Sequence, residues 1–481
     1  MLATVFQIIA VVTATLSVLS DGMHFGWTSP VGPILLSPDS PVKADESDII
    51  LLEILYMIGG IFGLPINMYL LDKIGRKRTI LVGTVEGLIG WIMIASSSSI
   101  KVLLAARLIA GLAGDVAFMA APVYVAEISD RKIRGHLEIL IFIMLMMGIL
   151  LMYILGPDVP IPVSSTVGAC ILVLQLLTFS FMPESPYWLL MKNQKEMAEK
   201  SLKIFRCSQN VEDELDQMTH TVQNELGERK NFLDLFKVRS NLKAAMIMTV
   251  LNVGQHFSGL TAISMNIHFI LNDAGGNIST YTAAVLYSVM MLVGSLVACV
   301  LVDLIGRKIL LCVSTSLTAV SLFTLGIYFT LKNNDVNISS FNWIPPITVL
   351  LYAFTFQSGL GSVPNVLTAE LFPTNIKAAG VAYADAVFII SGILSVNVFQ
   401  LLQRFGMQAP FFLFSCCCAL TCLFVLLVVP ETKGITLSEI QYLLKGNEIP
   451  NFSNINTIEV SAKIQPISNT LQENIGITPI Q

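Results

Sequence analysis

The stretch GQHFSGLTAISMNIHF, Gly254 to Phe269, carries amides, hydroxyls and two imidazoles inside a run that is otherwise apolar. Hydrogen-bonding groups in such a setting need partners or a polar cavity to face. A second chemically capable set is ionic and occurs twice. LLDKIGRK holds Asp72, Gly75, Arg76 and Lys77, and LVDLIGRK holds Asp303, Gly306, Arg307 and Lys308, 231 residues later. VAEISDRKIRG places Glu127 seven residues before Arg134, and TAELFPTNIKAAG places Glu370 seven before Lys377, an offset of 243 between the two acids. PESP at Pro183 recurs as PETKG at Pro430, an offset of 247. No nucleophile–base pair, phosphate loop or metal cluster accompanies these motifs, so no catalytic residue, metal or cofactor is expected and an enzyme is disfavoured. The eight cysteines have neither metal nor disulfide spacing. Cys416, Cys417, Cys418 and Cys422 share one apolar run and read as apolar filler.

The elements that position these residues are membrane spans. The 481 residues are 54% apolar and 13% charged, far from the soluble average. Runs such as Thr79–Ser96, Ile139–Leu155 and Pro410–Val429 are long enough to cross a bilayer as helices. Twelve spans are predicted, at about 4–27, 47–70, 78–98, 102–126, 137–156, 161–182, 244–272, 280–302, 308–331, 343–369, 377–402 and 408–429. Met1–Leu19 lacks a basic n-region, so it is read as a retained span and not as a signal peptide. Three motif pairs at similar offsets, in the same order, predict two six-helix halves at 1–190 and 244–445. A polar linker with short amphipathic helices is expected at 191–243, and a disordered cytoplasmic tail at 446–481.

Basic residues set the orientation. Lys73, Arg76, Lys77, Arg78, Arg131, Lys132, Arg134, Arg307, Lys308 and Lys377 fall in one group of short loops, against Lys43, Lys101, Lys332 and Arg404 in the other. Both termini are therefore expected in the cytoplasm. The sequons at Asn277 and Asn337 then lie outside, and the one at Asn451 does not. Nothing in the charge pattern suggests nucleic-acid binding; lipid is the expected surroundings.

The paired D-x-x-G-R-K loops, the Glu–Arg/Lys pairs and the PESP/PETKG ends resemble the sugar porter family of the major facilitator superfamily, over about Val5 to Leu444. FGWTSP at Phe25–Pro30 is most similar to insect facilitated trehalose transporters and their relatives. The resemblance implies an all-α, plasma-membrane, monomeric carrier of a sugar, trehalose or a hexose, whose halves rock about a central site. It assigns gate or ion-pair roles to Asp72, Arg76, Lys77, Arg107, Glu127, Arg134, Asp303, Arg307, Lys308, Glu370 and Lys377. Pairs across the two halves would close the inner mouth, and the same charges also set topology. Glu86, Asp115, Glu138 and Asp385 lie within or near spans as functional candidates or ion-pair partners, whereas Glu53 reads as wet at a span end.

The same resemblance implies a substrate site of Gln255, His256, Ser258, Thr261, Gln357, Asn365 and Phe388. The seventh span keeps Gln255, Ser258 and Gly259 of the family pattern, but His256 replaces a Gln and Thr261 an Asn. Met265-Asn266 replaces a Tyr pair, Gln357 an acid, Asn365 a Trp and Val387-Phe388 an Asn-Trp. Phe142 and Met291 stand where further amides are expected. His256 is open to three roles: a neutral core residue, a substrate contact or a titrating group. Gly359, Gly361 and Pro364 are expected to loosen the tenth span. Thr28 follows Phe25-Gly26-Trp27 where proton-coupled members carry Asp, which favours facilitated diffusion; Asp21, seven residues earlier, is the alternative proton site. The loss of amides keeps two other readings in view: a transport-poor sensor, and a carrier of a non-sugar or proton-coupled solute.

Overall fold

The computed structural model describes residues 2–40, 42–130, 133–227, 234–274, 279–334, 336, 341–373, 376–435 and 437–445. Asn277, Asn337 and the tail 446–481 lie outside the described residues, as do the side chains of Arg134 and Lys377. Twenty helices form the described chain. The first seven are α1 (Leu2–Ala14), α2 (Leu16–Leu36), α3 (Glu46–Lys73), α4 (Arg76–Ala95), α5 (Ile100–Ile128), α6 (Arg134–Leu155) and α7 (Ile161–Phe179). Four connect the two membrane sets: α8 (Pro186–Met191), α9 (Lys195–Arg206), α10 (Glu212–Gly227) and α11 (Asp234–Lys237). The second set is α12 (Arg239–His256), α13 (Leu260–Ala274), α14 (Thr280–Ile305), α15 (Arg307–Asn333), α16 (Ile344–Gln357), α17 (Val363–Leu371), α18 (Lys377–Gln403) and α19 (Gln408–Val428), followed by α20 (Leu437–Lys445).

Among the described residues, nine helical segments are long and apolar enough to cross a membrane. The other three expected spans fall on α6 (Arg134–Leu155) and on α12 with α13 and α16 with α17, the last two pairs being interrupted. The interruptions have local causes. Gly259 sits at φ +93° between α12 and α13, a conformation that only glycine adopts without cost. Between α16 and α17 the chain passes Gly359 and Gly361, and Pro364 opens α17, where its missing N–H is not needed. A Cβ on Gly359 would lie 2.3 Å from Ser314 Cβ, so the break also lets α15 approach closely. The first span differs from expectation. Its helix continues to Leu36 with Pro30 and Pro33 inside, after a break at Thr15.

Helix packing repeats along the chain. α2 packs on α6, α3 on α5, and α4 on α5 and α7; later α12 packs on α18, α14 on α16, and α15 on α16 and α19. Between the two sets, α14 lies against α6, α18 against α3 and α13 against α2. Glycines allow the tightest crossings, as expected where lipid supplies no hydrophobic drive and close backbone contact must. A Cβ on Gly22 would meet Leu145 O at 2.1 Å, and one on Gly111 would meet Tyr56 O at 1.8 Å. Large apolar side chains such as Val300, Val320 and Leu427 stand exposed on the outer faces of α14, α15 and α19, the composition of a lipid-facing surface.

The connecting helices dock on one end of the first set. Arg206 donates to Ile128 O at 2.8 Å and pairs with Glu214 at 2.7 Å, while Gln7 donates to Phe205 O at 3.1 Å. This is the end that carries the D-x-x-G-R-K loops, here called the basic end.

Candidate functional site

Two ionic clasps, built on the same plan, occupy the basic end. In the first, Arg76 opens α4 and its Nε and Nη2 reach Glu127 of α5 at 2.9 and 2.8 Å, while Nη1 donates to Leu71 O at 3.0 Å. Glu184 accepts from the backbone N–H groups of Arg76 and Lys77, both at 3.0 Å, and so satisfies two donors that a helix start leaves open. Ser185 completes the clasp by donating to Glu127. In the second, Arg307 Nη2 reaches Glu370 at 2.8 Å and Nη1 donates to Val302 O at 3.1 Å. Glu431 accepts from the N–H groups of Arg307 and Lys308 at 3.0 and 3.1 Å, and Thr432 donates to Glu370 at 2.6 Å. Gly75 at φ +102° and Gly306 at φ +93° turn the chain into the two carboxylates; a Cβ would lie 2.4 Å from Glu184 Oε2 and 2.6 Å from Glu431 Oε2. Asp303 adds an exposed contact to Arg307 at 3.1 Å, Lys77 Nζ donates to Ser180 O at 2.7 Å, and Asp72 O accepts from Trp188 at 3.1 Å.

Both clasps close within one set of helices. Pairs across the two sets are expected when the inner mouth is shut; in this conformation the partners of Arg76 and Arg307 lie on neighbouring helices of their own set. Arg107 also departs from an ion-pair role. It is fully buried, donates to His24 O at 2.8 Å and Leu52 O at 3.3 Å, and lies 4.4 Å from the Tyr56 ring centre. Among the described residues it has no carboxylate at ion-pair distance, and its Nη2 has no protein partner.

The polar groups of the middle gather where the two sets meet. Gln255 Nε2 donates to Leu360 O at 2.9 Å, tying the end of α12 to the break between α16 and α17; its Oε1 has no partner among the described residues. His256 Nδ1 lies 2.8 Å from Thr261 Oγ1, its ring centre is 4.2 Å from that of Phe388, and its Nε2 is unpartnered. A Cβ on Gly392 would lie 3.0 Å from His256 Cε1 and 3.4 Å from Met57 Sδ, which sets this imidazole against both α18 and α3. Toward the other end, Ser29 Oγ and His268 Nδ1 are 2.7 Å apart, and Tyr153 donates to Ser264 O at 2.5 Å. These two bonds join α2 and α6 to α13, hence one set to the other. Buried Glu53, which faces Asn266 of α13, and His268 Nε2 add polar atoms without a close partner among the described residues along the same interface. Such an array of donors and acceptors can meet the hydroxyls of a polyhydroxylated molecule.

A family model described as sugar (and other) transporter matches residues 9–444. The chain belongs to that family. Curated relatives include the facilitated trehalose transporter Tret1 of Apis mellifera ligustica, 28% identical over 449 residues, with 92% of this chain and 88% of the relative covered. The Tret1 of Bombyx mori is 29% identical over 446 residues, covering 91% and 86%. Among solved structures, the proton:xylose symporter XylE bound to 6-bromo-6-deoxy-D-glucose superposes with a TM-score of 0.71 at 22% identity, over 90% of this chain and 99% of that one. XylE of E. coli in an inward open conformation gives 0.73 at 21%, over 90% and 98%. The fold is therefore that of the major facilitator superfamily, and the protein is a multi-pass membrane protein.

Gln255, His256, Thr261 and Phe388 lie near one another around the end of α12. Ser258 is buried and donates to Gln255 O at 2.6 Å, and Gln357 is buried and donates to Ser362 at 3.3 Å, both close to the helix breaks. Asn365 stands exposed on α17. Glu53, read from sequence as wet, is 1% exposed. Sequence reasoning also passed over the carboxylates of Glu184 and Glu431. Their offset of 247 residues, inside motifs already paired, was the available signal.

Proposed function

We propose that this chain carries a sugar, trehalose or a hexose, down its gradient across the plasma membrane by alternating access. The observation that carries the reading is that polar atoms of His256, His268 and Glu53 lie buried, without a close partner among the described residues, at the interface between the two helix sets. A site there is exposed to one side or the other when the sets rock, while the clasps keep each set rigid. The unit boundaries follow the repeats: halves at 1–190 and 244–445, a linker at 191–243 and a tail from 446. Both termini face the cytoplasm because the basic loops share their side. In that orientation the basic end is the inner mouth, and Asp72, Lys77, Arg134, Asp303, Lys308 and Lys377 supply its charge. Thr28 in place of an acid favours a uniporter that works as a monomer in lipid.

Trehalose is the sugar named for the relatives, and the substituted amides of the seventh, tenth and eleventh spans leave the choice of sugar to experiment. Uptake of radiolabelled trehalose, glucose, fructose, polyols and plant glycosides should be measured in oocytes, with and without a proton gradient. Saturable uptake of a sugar that survives dissipation of the gradient is expected. Flux of none of them overturns the sugar reading, and collapse without the gradient overturns the uniport reading.

A further inference from the structure

One buried carboxylate takes no part in the clasps or in the seventh-span cluster. Glu53 lies on α3, one helical turn from Met57, which faces His256 and Gly392. Four residues rise about 6 Å, so Glu53 occupies the next layer beyond His256, away from the basic end. Neither of its oxygens has a protein hydrogen-bond partner among the described residues. Two groups from other elements face it: Arg107 of α5 and Asn266 of α13. The Asn266 amide gives one N–H to Ala262 O at 3.0 Å and leaves its second on the side of Glu53, while Arg107 keeps Nη2 unpartnered after spending Nε and Nη1 on carbonyls. Asn266 itself departs from helical geometry, at φ −113° and ψ 15°, so α13 bends where it passes this carboxylate. The layer thus holds a buried carboxyl group flanked by the Asn266 amide, with neither oxygen in a close hydrogen bond, and a buried guanidinium nitrogen with no partner among the described residues.

We propose that Glu53 and Arg107 form a recognition subsite for two adjacent hydroxyls of an uncharged cargo. One hydroxyl donates to a Glu53 oxygen, and Arg107 Nη2 donates to the neighbouring oxygen. The subsite deepens the sugar-carrier reading and rests on it. A vicinal diol answers the carboxyl group and the guanidinium at once, whereas an amine would meet the guanidinium at like charge. Hydrogen bonds from the ionised guanidinium are roughly twice as strong as neutral ones, so this pair can replace amide contacts that Thr261, Met291 and Val387 no longer provide.

The test is uptake of the transported sugar and its single deoxy analogues by the wild type, Glu53→Gln and Arg107→Lys in oocytes, normalised to surface expression. In the wild type, removing one particular hydroxyl should raise the half-saturation concentration about tenfold or more. Glu53→Gln should lose a similar factor for the parent sugar and no longer distinguish it from that analogue, while other analogues keep their wild-type ratios. Arg107→Lys should lose discrimination at the adjacent hydroxyl. Equal losses for every analogue, or unchanged selectivity, overturn the subsite and leave the sugar reading intact. A wild type that moves no sugar overturns both. Should Glu53→Gln fail to reach the surface, Glu53→Asp in purified protein, read by sugar-induced tryptophan fluorescence, must lose selectivity at the same hydroxyl, and retained selectivity there counts against the proposal.

Discussion

Arg76→Ala should be the most damaging single change at the basic end. Arg76 and Glu127 have side-chain exposures of 8% and 12%, and two guanidinium nitrogens hold the carboxylate. Truncation leaves Glu127 buried with the Ser185 hydroxyl as its described partner. Breaking a buried pair by removing one member costs about 3–5 kcal/mol. The equivalent Arg307→Ala should cost less, about 1–3 kcal/mol, since Glu370 is 23% exposed, is met by one nitrogen and keeps its bond from Thr432. Combining Arg76→Ala with Glu127→Ala removes the stranded charge as well, so the pair should cost less than the sum of the singles, by about 0.5–3 kcal/mol. Thermal midpoints of the purified variants in detergent, read by size-exclusion fluorescence, give the ranking. Both clasps close within their own set, so cysteine labelling from each side of the membrane should change little in the surviving Arg76→Ala protein. An Arg307→Ala midpoint at or below that of Arg76→Ala would refute the burial argument. An unchanged midpoint with altered labelling would mean that these charges act between the sets.

Three further outcomes follow from the geometry. Gly75→Ala and Gly306→Ala should each lower stability by about 1–3 kcal/mol, because the new Cβ meets both a positive φ and a carboxylate; Gly434→Ala, at φ +71° with nothing within 4 Å, should cost only the backbone strain, and equal thermal shifts for all three would refute the role of Glu184 and Glu431. His256→Gln keeps a polar side chain but alters the group beside Phe388 and Thr261, so substrate affinity or selectivity should change; identical uptake kinetics across a sugar panel would remove His256 from the site. Ser29→Ala deletes the bond to His268 that joins the two sets, worth about 1 kcal/mol, so labelling from the end opposite the basic loops should rise about fivefold; no change would mean that the bond does not hold that end shut.

The sequence was most legible where a motif occurred twice. Arg76 and Arg307, Glu127 and Glu370, and the PESP and PETKG ends could be paired by offset alone, since repeated spans place repeated residues alike. What joined to what was not legible. Arg76 and Glu127 are 51 residues apart, and their contact depends on α4 packing against α5. The helix breaks at Gly259 and near Pro364 could be anticipated because glycine and proline act on their own backbone. Glu53 could not be placed, because its burial comes from α13 and α5, both remote in the chain.

Composition and apolar run length alone determined that this is a helical membrane protein, because a bilayer core admits only segments that satisfy their own backbone hydrogen bonds. The repeated motifs determined its family, because their residue types and spacing recur twice. Tertiary structure alone decided that the clasps lock each helix set internally, that Gln255 braces the broken tenth span, and that Glu53 is buried beside Arg107, whose Nη2 has no partner among the described residues. Those facts depend on which helix faces touch, and side chains from helices far apart in the chain meet only once packing has set the crossing points.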